Sequence, residues 1–354
     1  MTATADREER ILGIIEKTRA KRAKFRDARI TMAHGAGGKA TAGLIEGVLA
    51  PAFGMDELAD AAIVGDLVMT TDAFVVNPLV FPGGSIGELA VNGTVNDVAM
   101  GGAKPLALSL SLILEEGLEA DVLRHEVDAI ARTAEAAGVR IVTGDTKVVE
   151  RGKADGMYIC TSGIGHRDPR AELSPGALRP GDKLLVSGRV GDHGTAIMLA
   201  RGEFELGATI ESDTRSLWPA VDALLDAAGP GLRCLRDATR GGVASVLNEL
   251  ARASRVAMIV RERDVPVHPM VNGAAEILGI DPMYVANEGV LVVAVAPEHA
   301  DAALLALRGV SGSADAAEIG EVKTDPPGTV LVETAFGGKR VMDQLVGDPL
   351  PRIC

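Results

Sequence analysis

The sequence has 354 residues, of which 47% are hydrophobic and 24% charged, and its formal net charge at pH 7 is −13. This length is enough for one large domain or two domains of ordinary size, and we expect two. The negative charge argues against nucleic acid or an anionic membrane surface as the main partner, because both require a basic footprint.

The first 29 residues form a charged, helix-favouring run that lacks the apolar core of a signal peptide. No uninterrupted run of 18 apolar residues occurs, so we expect no membrane span and a cytoplasmic location. The three cysteines, Cys160, Cys234 and Cys354, have no C-x-x-C spacing. Neither a zinc site nor a disulfide framework is therefore indicated.

Residues 30–173 are predicted to form a first domain that mixes strands and helices. A short strand at 29–33 leads into a glycine loop at 34–38 and a helix that starts at Lys39. The hydrophobic patterns then predict helices at 85–101 and 121–137, and strands at 61–64, 67–71, 107–114, 140–143 and 157–163.

Residues 174–345 are predicted to form a second mixed domain. It begins at the turn-rich run 174–182, which contains two Pro-Gly pairs. The patterns predict strands at 183–187, 257–260, 289–295, 318–323 and 329–334, and helices at 192–202, 216–228, 243–253 and 298–308. Residues 346–354 are predicted to form a flexible tail.

Each predicted domain contains a glycine loop that opens a helix. The first loop includes His34, Gly35, Gly37 and Gly38, and the second runs from Arg236 to Gly242. Free backbone N–H groups and the positive end of the helix dipole favour phosphate at such a position. The first loop matches neither a P-loop nor a dinucleotide motif, and a purely structural turn remains an alternative for such loops.

Five aspartates lie at probable strand ends or in loops, at positions 60, 72, 97, 145 and 237. Each alone could be a helix cap or a turn residue. Together they are typical of a Mg²⁺ site, because carboxylates bridge this ion to substrate phosphates. Lys147 follows Asp145 by two residues, and Glu288 precedes an apolar strand, so either could reach such a site or remain a solvated surface charge.

The sequence ends at Pro351-Arg352-Ile353-Cys354. Proline favours an extended backbone, so the stretch from Asp348 onward could carry the Cys354 sulfur roughly 20 Å from the folded body. This predicts a movable thiol-bearing arm. A frayed terminus that happens to end in cysteine is the alternative.

The chain from about residue 30 onward resembles the family of the hydrogenase maturation factor HypE. The resemblance rests on the tracts 71–76, 81–84, 89–100, 143–152 (with Gly144-Asp145-Thr146-Lys147) and 351–354. It implies an α/β (α+β) fold of two domains, like that of AIR synthetase, in which the N-terminal strands of a homodimer form a β-barrel. It departs from the family pattern at Ala36, where a serine is expected, and in the length of the extension at 1–29.

The resemblance also implies an activity and assigns residues to it. A carbamoyltransferase, HypF, loads a carboxamide onto Cys354, and ATP with Mg²⁺ then drives its dehydration to a thiocyanate. The cyano group passes to iron held by HypC and HypD for the nickel-iron hydrogenase. By motif, Cys354 is the carrier, Lys147 and Glu288 transfer protons, the metal ligands are Asp60, Asp72, Asp97, Asp145 and Asp237, and the nucleotide contacts are His34, Gly35, Gly37, Gly38, Thr71, Asn96, Thr146, Thr239, Gly241 and Gly242.

Two other functions remain open at this point. A small-molecule kinase of the same superfamily would also need ATP and Mg²⁺, but it gives no reason for a terminal cysteine. A non-catalytic carrier would bind ATP as a structural ligand and offer Cys354 to partner enzymes. A selenophosphate synthetase is disfavoured, because no cysteine precedes Cys160.

Overall fold

The computed structural model describes residues 25–55, 59–202, 210–347 and 352–354. These fall into two compact units, the first made of 25–55 with 346–347 and the second of the described parts of 59–345 with 352–354. The predicted helical extension lies largely outside the described residues. No helix among the described residues is both long and apolar enough to cross a bilayer.

The first unit is short and helical. A 3₁₀ turn at Met32–Gly35 precedes helix α1 (Lys39–Leu44), a π-helical turn (Ile45–Leu49) and helix α2 (Ala50–Phe53). The predicted strand at 29–33 is wrong, because the His34 N–H bonds the Thr31 carbonyl at 3.0 Å and turns the chain there. The helix predicted from Lys39 is confirmed.

The second unit contains a five-stranded sheet in the order β1-β2-β7-β5-β6. Its strands are β1 (Ala62–Val64), β2 (Leu67–Phe74), β5 (Ala103–Glu115), β6 (Arg140–Val149) and β7 (Met157–Arg167), and a small hairpin pairs β3 (Val80–Phe81) with β4 (Gly84–Ser85). Strands β5 and β6 are parallel and are connected through helix α4 (Ala120–Ala137), while β7 runs antiparallel to β2 and β5.

Helix α3 (Ile86–Met100) lies against one face of this sheet and is buried on almost every side. Val98 on α3 packs with Val68 on β2, and Phe74 packs with Ile86 and Leu89. A helix that is apolar all round suits such an enclosed position. Asp97, near its C-terminal end, is thereby carried into the interior of the unit.

A seven-stranded sheet in the same unit has the order β14-β13-β10-β12-β8-β11-β9. Its strands are β8 (Lys183–Val186), β9 (Leu232–Asp237), β10 (Ala257–Arg261), β11 (Leu291–Val295), β12 (Ala317–Lys323), β13 (Thr329–Glu333) and β14 (Lys339–Met342). The helices of this half are α5 (Asp192–Ala200), α6 (Trp218–Ala228), α7 (Gly242–Ser254), α8 (Pro269–Leu278) and α9 (Ala300–Arg308).

The hydrophobic pattern therefore located nearly all of these elements in the described chain. It missed α8, β9 and β14 and the small β3–β4 hairpin. Strand β9 ends at Asp237, and the chain then turns into α7 through Gly241 and Gly242, whose φ angles are 78° and 60°. The boundary expected at 174–182, and with it the domain limits, stays a prediction.

Candidate active site

Three aspartates from separate elements meet in the second unit. Asp60 precedes β1, Asp97 lies on α3 and Asp237 ends β9, and one carboxylate oxygen of each lies within 4.8 Å of the others. Three converging carboxylates are a donor set that suits a hard divalent cation. We call Asp60, Asp97 and Asp237 the aspartate triad.

Burial makes the ionised triad unfavourable. It raises the pKa of Asp60 to about 6, although Arg236 at 3.0 Å acts in the opposite direction. Burial likewise raises the pKa values of Asp97 and Asp237 well above the usual range, and the neighbouring aspartates raise them further. Asp60 Oδ2 is buried and has no hydrogen-bond partner. A cation would relieve both the repulsion and this unsatisfied oxygen.

Asp72 on β2 lies beside the triad. Burial raises its pKa, while a side-chain hydrogen bond with Asp97 and the charge of Arg240 lower it. The Thr70 hydroxyl lies 2.7 Å from Asp97 Oδ2 and 2.9 Å from the Asp60 carbonyl oxygen. These contacts connect β2, α3 and the segment before β1 in one polar network.

A cavity of about 50 Å³ adjoins Asp72, Asp97 and Asp237. It has room for a few waters or a small planar group, whereas pockets that enclose drug-sized ligands measure roughly 300–1,000 Å³. Its lining is completed by Ala73, Phe74, Gly93, Thr239, Arg240, Glu288 and Cys354. The terminal residue, Cys354, thus lines the same cavity as the acidic residues.

Glu288 is a buried carboxyl group with only 3% of its surface exposed. Its Oε1 has no hydrogen-bond partner, and burial, followed by the charges of Asp237 and Asp213, raises its pKa well above the usual range. The Glu288 N–H donates to Asp213 Oδ1 at 2.9 Å, which fixes the backbone at this point. A buried carboxyl group with a raised pKa at a cavity is a candidate for proton transfer.

The second glycine loop packs tightly and forms part of the cavity wall. A Cβ on Gly242 would lie 2.5 Å from the Met283 carbonyl and 2.6 Å from the Val285 carbonyl, so no side chain fits there. Thr239 and Arg240 reach the cavity from the same loop. The loop is therefore both a packing requirement and part of the cavity wall.

The C-terminal residues are docked. Ile353 and Cys354 are 2% and 8% exposed and pack in the core that contains Phe74 and Ile86. The Cys354 carbonyl accepts a hydrogen bond from the Val75 N–H at 3.2 Å, and Arg352 pairs with Asp155. The structure thus shows the inward position of the thiol, which the sequence left open.

Three predicted site residues, Thr71, Asp145 and Lys147, lie elsewhere. The register places Asp145 in one row with Ser111, Cys160 and Ala73, so it projects from the face opposite to Asp72. Lys147 forms an ion pair with Asp145, and their side chains are 67% and 61% exposed. Thr71 shares this outer face. Within a single chain, Asp145 therefore lies apart from the other four predicted metal ligands.

Asn96 is hydrogen-bonded to main-chain atoms of the same unit. Its side-chain amide donates to the carbonyls of Arg215 and Glu288 and accepts from the Leu217 N–H at 2.7 Å. These bonds use both ends of the amide and connect α3 to two other segments, and the predicted contact of Asn96 with a nucleotide stays a prediction. The Thr146 N–H bonds the Asp145 side chain on β6.

The first glycine loop belongs to the other unit, and its predicted nucleotide contacts stay a prediction. Within that unit, His34 is 6% exposed, its Nε2 lies 3.0 Å from Asp27 and its Nδ1 lies 2.9 Å from the Thr31 N. The Gly37 N–H donates to the Thr41 hydroxyl at 2.9 Å.

The sequence-based prediction did not include two residues of the site, Arg240 and Asp213. Arg240 lines the cavity, Asp213 fixes the Glu288 backbone, and burial raises the pKa of Asp213 to about 6. The only signal for Arg240 was its place inside the second glycine loop. Asp213 carried none, because it comes from an irregular segment.

Comparison with known proteins identifies clear relatives. Residues 58–166 match the N-terminal domain and residues 179–333 the C-terminal domain of AIR synthase related proteins. The chain is 50% identical over 339 residues to the carbamoyl dehydratase HypE of Rhodobacter capsulatus, and the match covers 93% of this chain and 99% of that protein.

Two solved structures are also similar. A HypE–HypF complex contains a chain that is 44% identical, with a TM-score of 0.82 and coverage of 85% of this chain and 99% of that one. The structure of HypE in complex with ATP is 43% identical, with a TM-score of 0.79 and coverage of 92% and 100%.

Proposed function

This chain belongs to the carbamoyl dehydratase HypE family of AIR synthase related proteins, and we propose that it dehydrates a carboxamide on its own Cys354. The product is a thiocyanate, the reaction consumes ATP, and the cyano group serves the maturation of a nickel-iron hydrogenase. The observation that carries the proposal is the docked thiol of Cys354 in a cavity with Asp97, Asp237, Arg240 and Glu288.

The reaction needs a leaving group and a base. ATP transfers a phosphoryl group to the amide oxygen of the S-carboxamide, and one N–H proton leaves to a base, which gives an O-phosphorylated imidate and ADP. Loss of that phosphate with its bonding electrons, and of the remaining N–H proton to a base, forms the C≡N bond. For each carboxamide, the products are one thiocyanate, one ADP and one phosphate.

Glu288 is the candidate base in this chain. Its raised pKa favours proton uptake, and its unpartnered Oε1 is available at the cavity that holds Cys354. Arg240 lines the same cavity and offers positive charge to a developing phosphate.

The aspartate triad is the proposed Mg²⁺ site, with Asp72 beside it. The residues fit the ion because three carboxylates converge, with Asp237 buried and Asp60 and Asp97 half-buried, and because Asp60 Oδ2 lacks a partner. Magnesium would supply charge neutralisation for the phosphates of ATP. In the second unit, the proposed nucleotide contacts remain Thr239, Gly241 and Gly242. In the first unit, they remain His34, Gly35, Gly37 and Gly38.

In a homodimer, residues on the outer face of the five-stranded sheet could contribute to the active site of the second copy. The outer face of the five-stranded sheet includes the exposed apolar side chains of Met69 and Ile164, which are 47% and 38% exposed. Such a face favours a second layer. In our proposal that layer is the same sheet of a second copy, which forms the β-barrel and lets Lys147, Asp145 and Thr71 of one copy serve the cavity of the other.

The partners and compartment follow from the family. HypF is the proposed carbamoyl donor, and the iron-carrying HypC–HypD complex is the proposed acceptor of the cyano group. Cys160, Cys234 and Cys354 form no disulfide in the described part of the chain, which suits the proposed reducing cytoplasm.

Mass spectrometry of the C-terminal peptide tests the proposal. The carbamoylated protein is incubated with Mg-ATP, and we expect Cys354 to lose one water, about 18 Da, with release of ADP and phosphate. Glu288→Gln is the matched control and should keep the carboxamide. A wild-type protein that keeps its carboxamide would instead be a non-catalytic carrier, and one that phosphorylates a small molecule but leaves the tail unchanged would be a kinase.

A further inference from the structure

Every main-chain carbonyl of the described tail is held by a donor from the body of the same unit. The Arg352 carbonyl accepts from the Asn77 N–H at 3.3 Å and from the Arg201 guanidinium. The Ile353 carbonyl lies 2.7 Å from His193 Nε2, and the Cys354 carbonyl accepts from the Val75 N–H. Two side chains, His193 and Arg201, thus supplement a backbone pairing.

His193 is built for this contact. It lies in the first turn of α5, is fully buried, and has the ring of Phe81 edge-on at 5.6 Å. Because the Ile353 carbonyl can only accept, Nε2 carries the proton. Nδ1, 2.8 Å from Ser212 Oγ, then accepts from that hydroxyl in the neutral ring.

The charge state of His193 agrees with this geometry. Burial lowers its pKa to about 4, and the bond to Ile353 opposes that shift only in part. The ring is therefore neutral at pH 7, with one donor directed at the tail. A neutral donor holds the carbonyl without adding a charge next to the acidic cavity.

Arg201 completes the arrangement from the C-terminal end of the same helix. Its Nε donates to the Asn77 carbonyl at 2.7 Å, while its other arm bonds the Arg352 carbonyl. One guanidinium therefore joins the segment after β2 to the tail. Both contacts of α5 with the tail are to main-chain atoms, and Cys354 itself lines the cavity.

We propose that His193 and Arg201 form a main-chain clamp that positions Cys354 for dehydration. The clamp residues are positioning residues, because they touch the tail and not the reacting group. This inference rests on the proposed function for its catalytic consequence, whereas the docking itself is measurable without any reaction.

The first measurement is alkylation of Cys354 by iodoacetamide in the uncarbamoylated full-length protein, followed in the C-terminal peptide. His193→Phe fills the space but removes the donor, and we expect about tenfold faster alkylation from the loss of one buried hydrogen bond. His193→Gln retains an N–H donor and should recover most of the protection. His125→Phe on the surface of α4, where the ring is half exposed, is the matched control and should alkylate like wild type.

The second measurement is the single-turnover dehydration rate of carbamoylated protein at saturating ATP, together with the ATP dissociation constant. We expect His193→Phe to slow dehydration about tenfold while ATP affinity stays unchanged, and His193→Gln to restore the rate. Arg201→Met and Arg201→Lys form a second pair, which carries the same test if a histidine variant does not fold.

The outcomes separate the two proposals. Unchanged alkylation in both His193→Phe and Arg201→Met would refute the clamp, as would faster alkylation with an unchanged dehydration rate. Protection that depends on the clamp in a wild-type protein unable to dehydrate Cys354 would support the clamp and refute the proposed function.

Discussion

Asp72 and Asp145 project from opposite faces of the same sheet. The register connects Asp145 through β5 and β7 to Ala73, the neighbour of Asp72 along β2. Three strand spacings of about 4.8 Å put roughly 14 Å between the two strands. Asp72 faces α3 and bonds Asp97, whereas Asp145 is 61% exposed on the outer face. One chain cannot use both carboxylates at a single ion.

This separation predicts complementation between copies. Lys147→Ala and Glu288→Gln should each be inactive alone, because each removes a proposed proton-transfer group. If Lys147 of one copy serves the cavity of the other, mixed dimers contain one intact site. Refolding the two variants together in equal amounts should then restore about a quarter of wild-type dehydration, since about half of the dimers are mixed and each carries one active site of two.

The same experiment has a clear negative result. If Lys147 and Glu288 act in the same copy, every site in the mixed dimer lacks one of them and activity stays absent. A mixture of Glu288→Gln with Cys354→Ala distinguishes whether the tail also crosses between copies. The structure docks Cys354 into its own chain, so this second mixture should remain inactive.

Magnesium should stabilise the protein in a pH-dependent way. Between about pH 4 and 6, buried carboxyls such as Asp60 bind more protons in the folded than in the unfolded state, so the unfolding free energy of the metal-free protein falls as pH rises. Mg²⁺ binds the ionised carboxylates and opposes this loss. At 100 times its dissociation constant, it should raise Tm by about 5 °C near pH 7.5 and far less near pH 5.

Asp97→Asn should abolish most of this Mg²⁺-dependent shift in Tm, because it removes one ligand of the triad. Asp128→Asn, at an exposed position on α4, should leave the shift unchanged. Differential scanning calorimetry at the two pH values, with and without Mg²⁺, provides the measurement. An equal shift at both pH values, or one retained in Asp97→Asn, would remove the triad as the metal site.

Glu288→Gln should separate activity from stability. Loss of the general base should slow dehydration by about 10²- to 10⁴-fold, as measured by single-turnover mass spectrometry. Because burial disfavours the carboxylate, its neutral isostere should unfold at the same or higher urea concentration at pH 7. A variant that is both active and unstable would contradict a catalytic role and indicate a structural one.

A glycine pair tests how closely the Glu288 backbone is constrained. A Cβ on Gly289 would lie 1.8 Å from the Asp213 carbonyl oxygen, so Gly289→Ala should cost about 1–3 kcal/mol in unfolding free energy and displace Glu288. Gly273→Ala lies in α8 with no atom within 4 Å of the new methyl and should gain up to about 1 kcal/mol. Urea unfolding measures both, and a neutral Gly289→Ala would contradict the close approach.

The sequence predicted those site residues that lie next to elements with a strong hydrophobic pattern. Asp60 and Asp237 border strands as predicted, whereas Asp97, expected at a strand end or in a loop, lies on helix α3. Asp145 and Lys147 could not be placed in this way. Their facing depends on strand order and register across the sheet, which a strand pattern alone does not contain.

Side chains that bind main-chain atoms could not be recognised from the sequence pattern. His193 and Arg201 recognise carbonyl oxygens, and any sequence in the tail would present these. The family resemblance assigned Asn96 to the nucleotide, and the structure shows that its amide joins α3 to the segments of Leu217 and Glu288. A buried asparagine satisfied by backbone atoms cannot be distinguished by sequence from one that awaits a ligand.

Arg352 has a φ angle of 60°, in the left-handed region that costs a non-glycine residue roughly 1–2 kcal/mol. Burial of the Ile353 side chain contributes about 2–3 kcal/mol in the other direction. On these figures burial of Ile353 outweighs the strain at Arg352 by about 1 kcal/mol, and the main-chain hydrogen bonds of the tail add to the docked state. In the proposed function, the tail leaves its docked position to receive the carboxamide and then returns to the cavity to react. A docked state that is only slightly favoured allows this exchange, whereas a much more stable one would slow the release of Cys354.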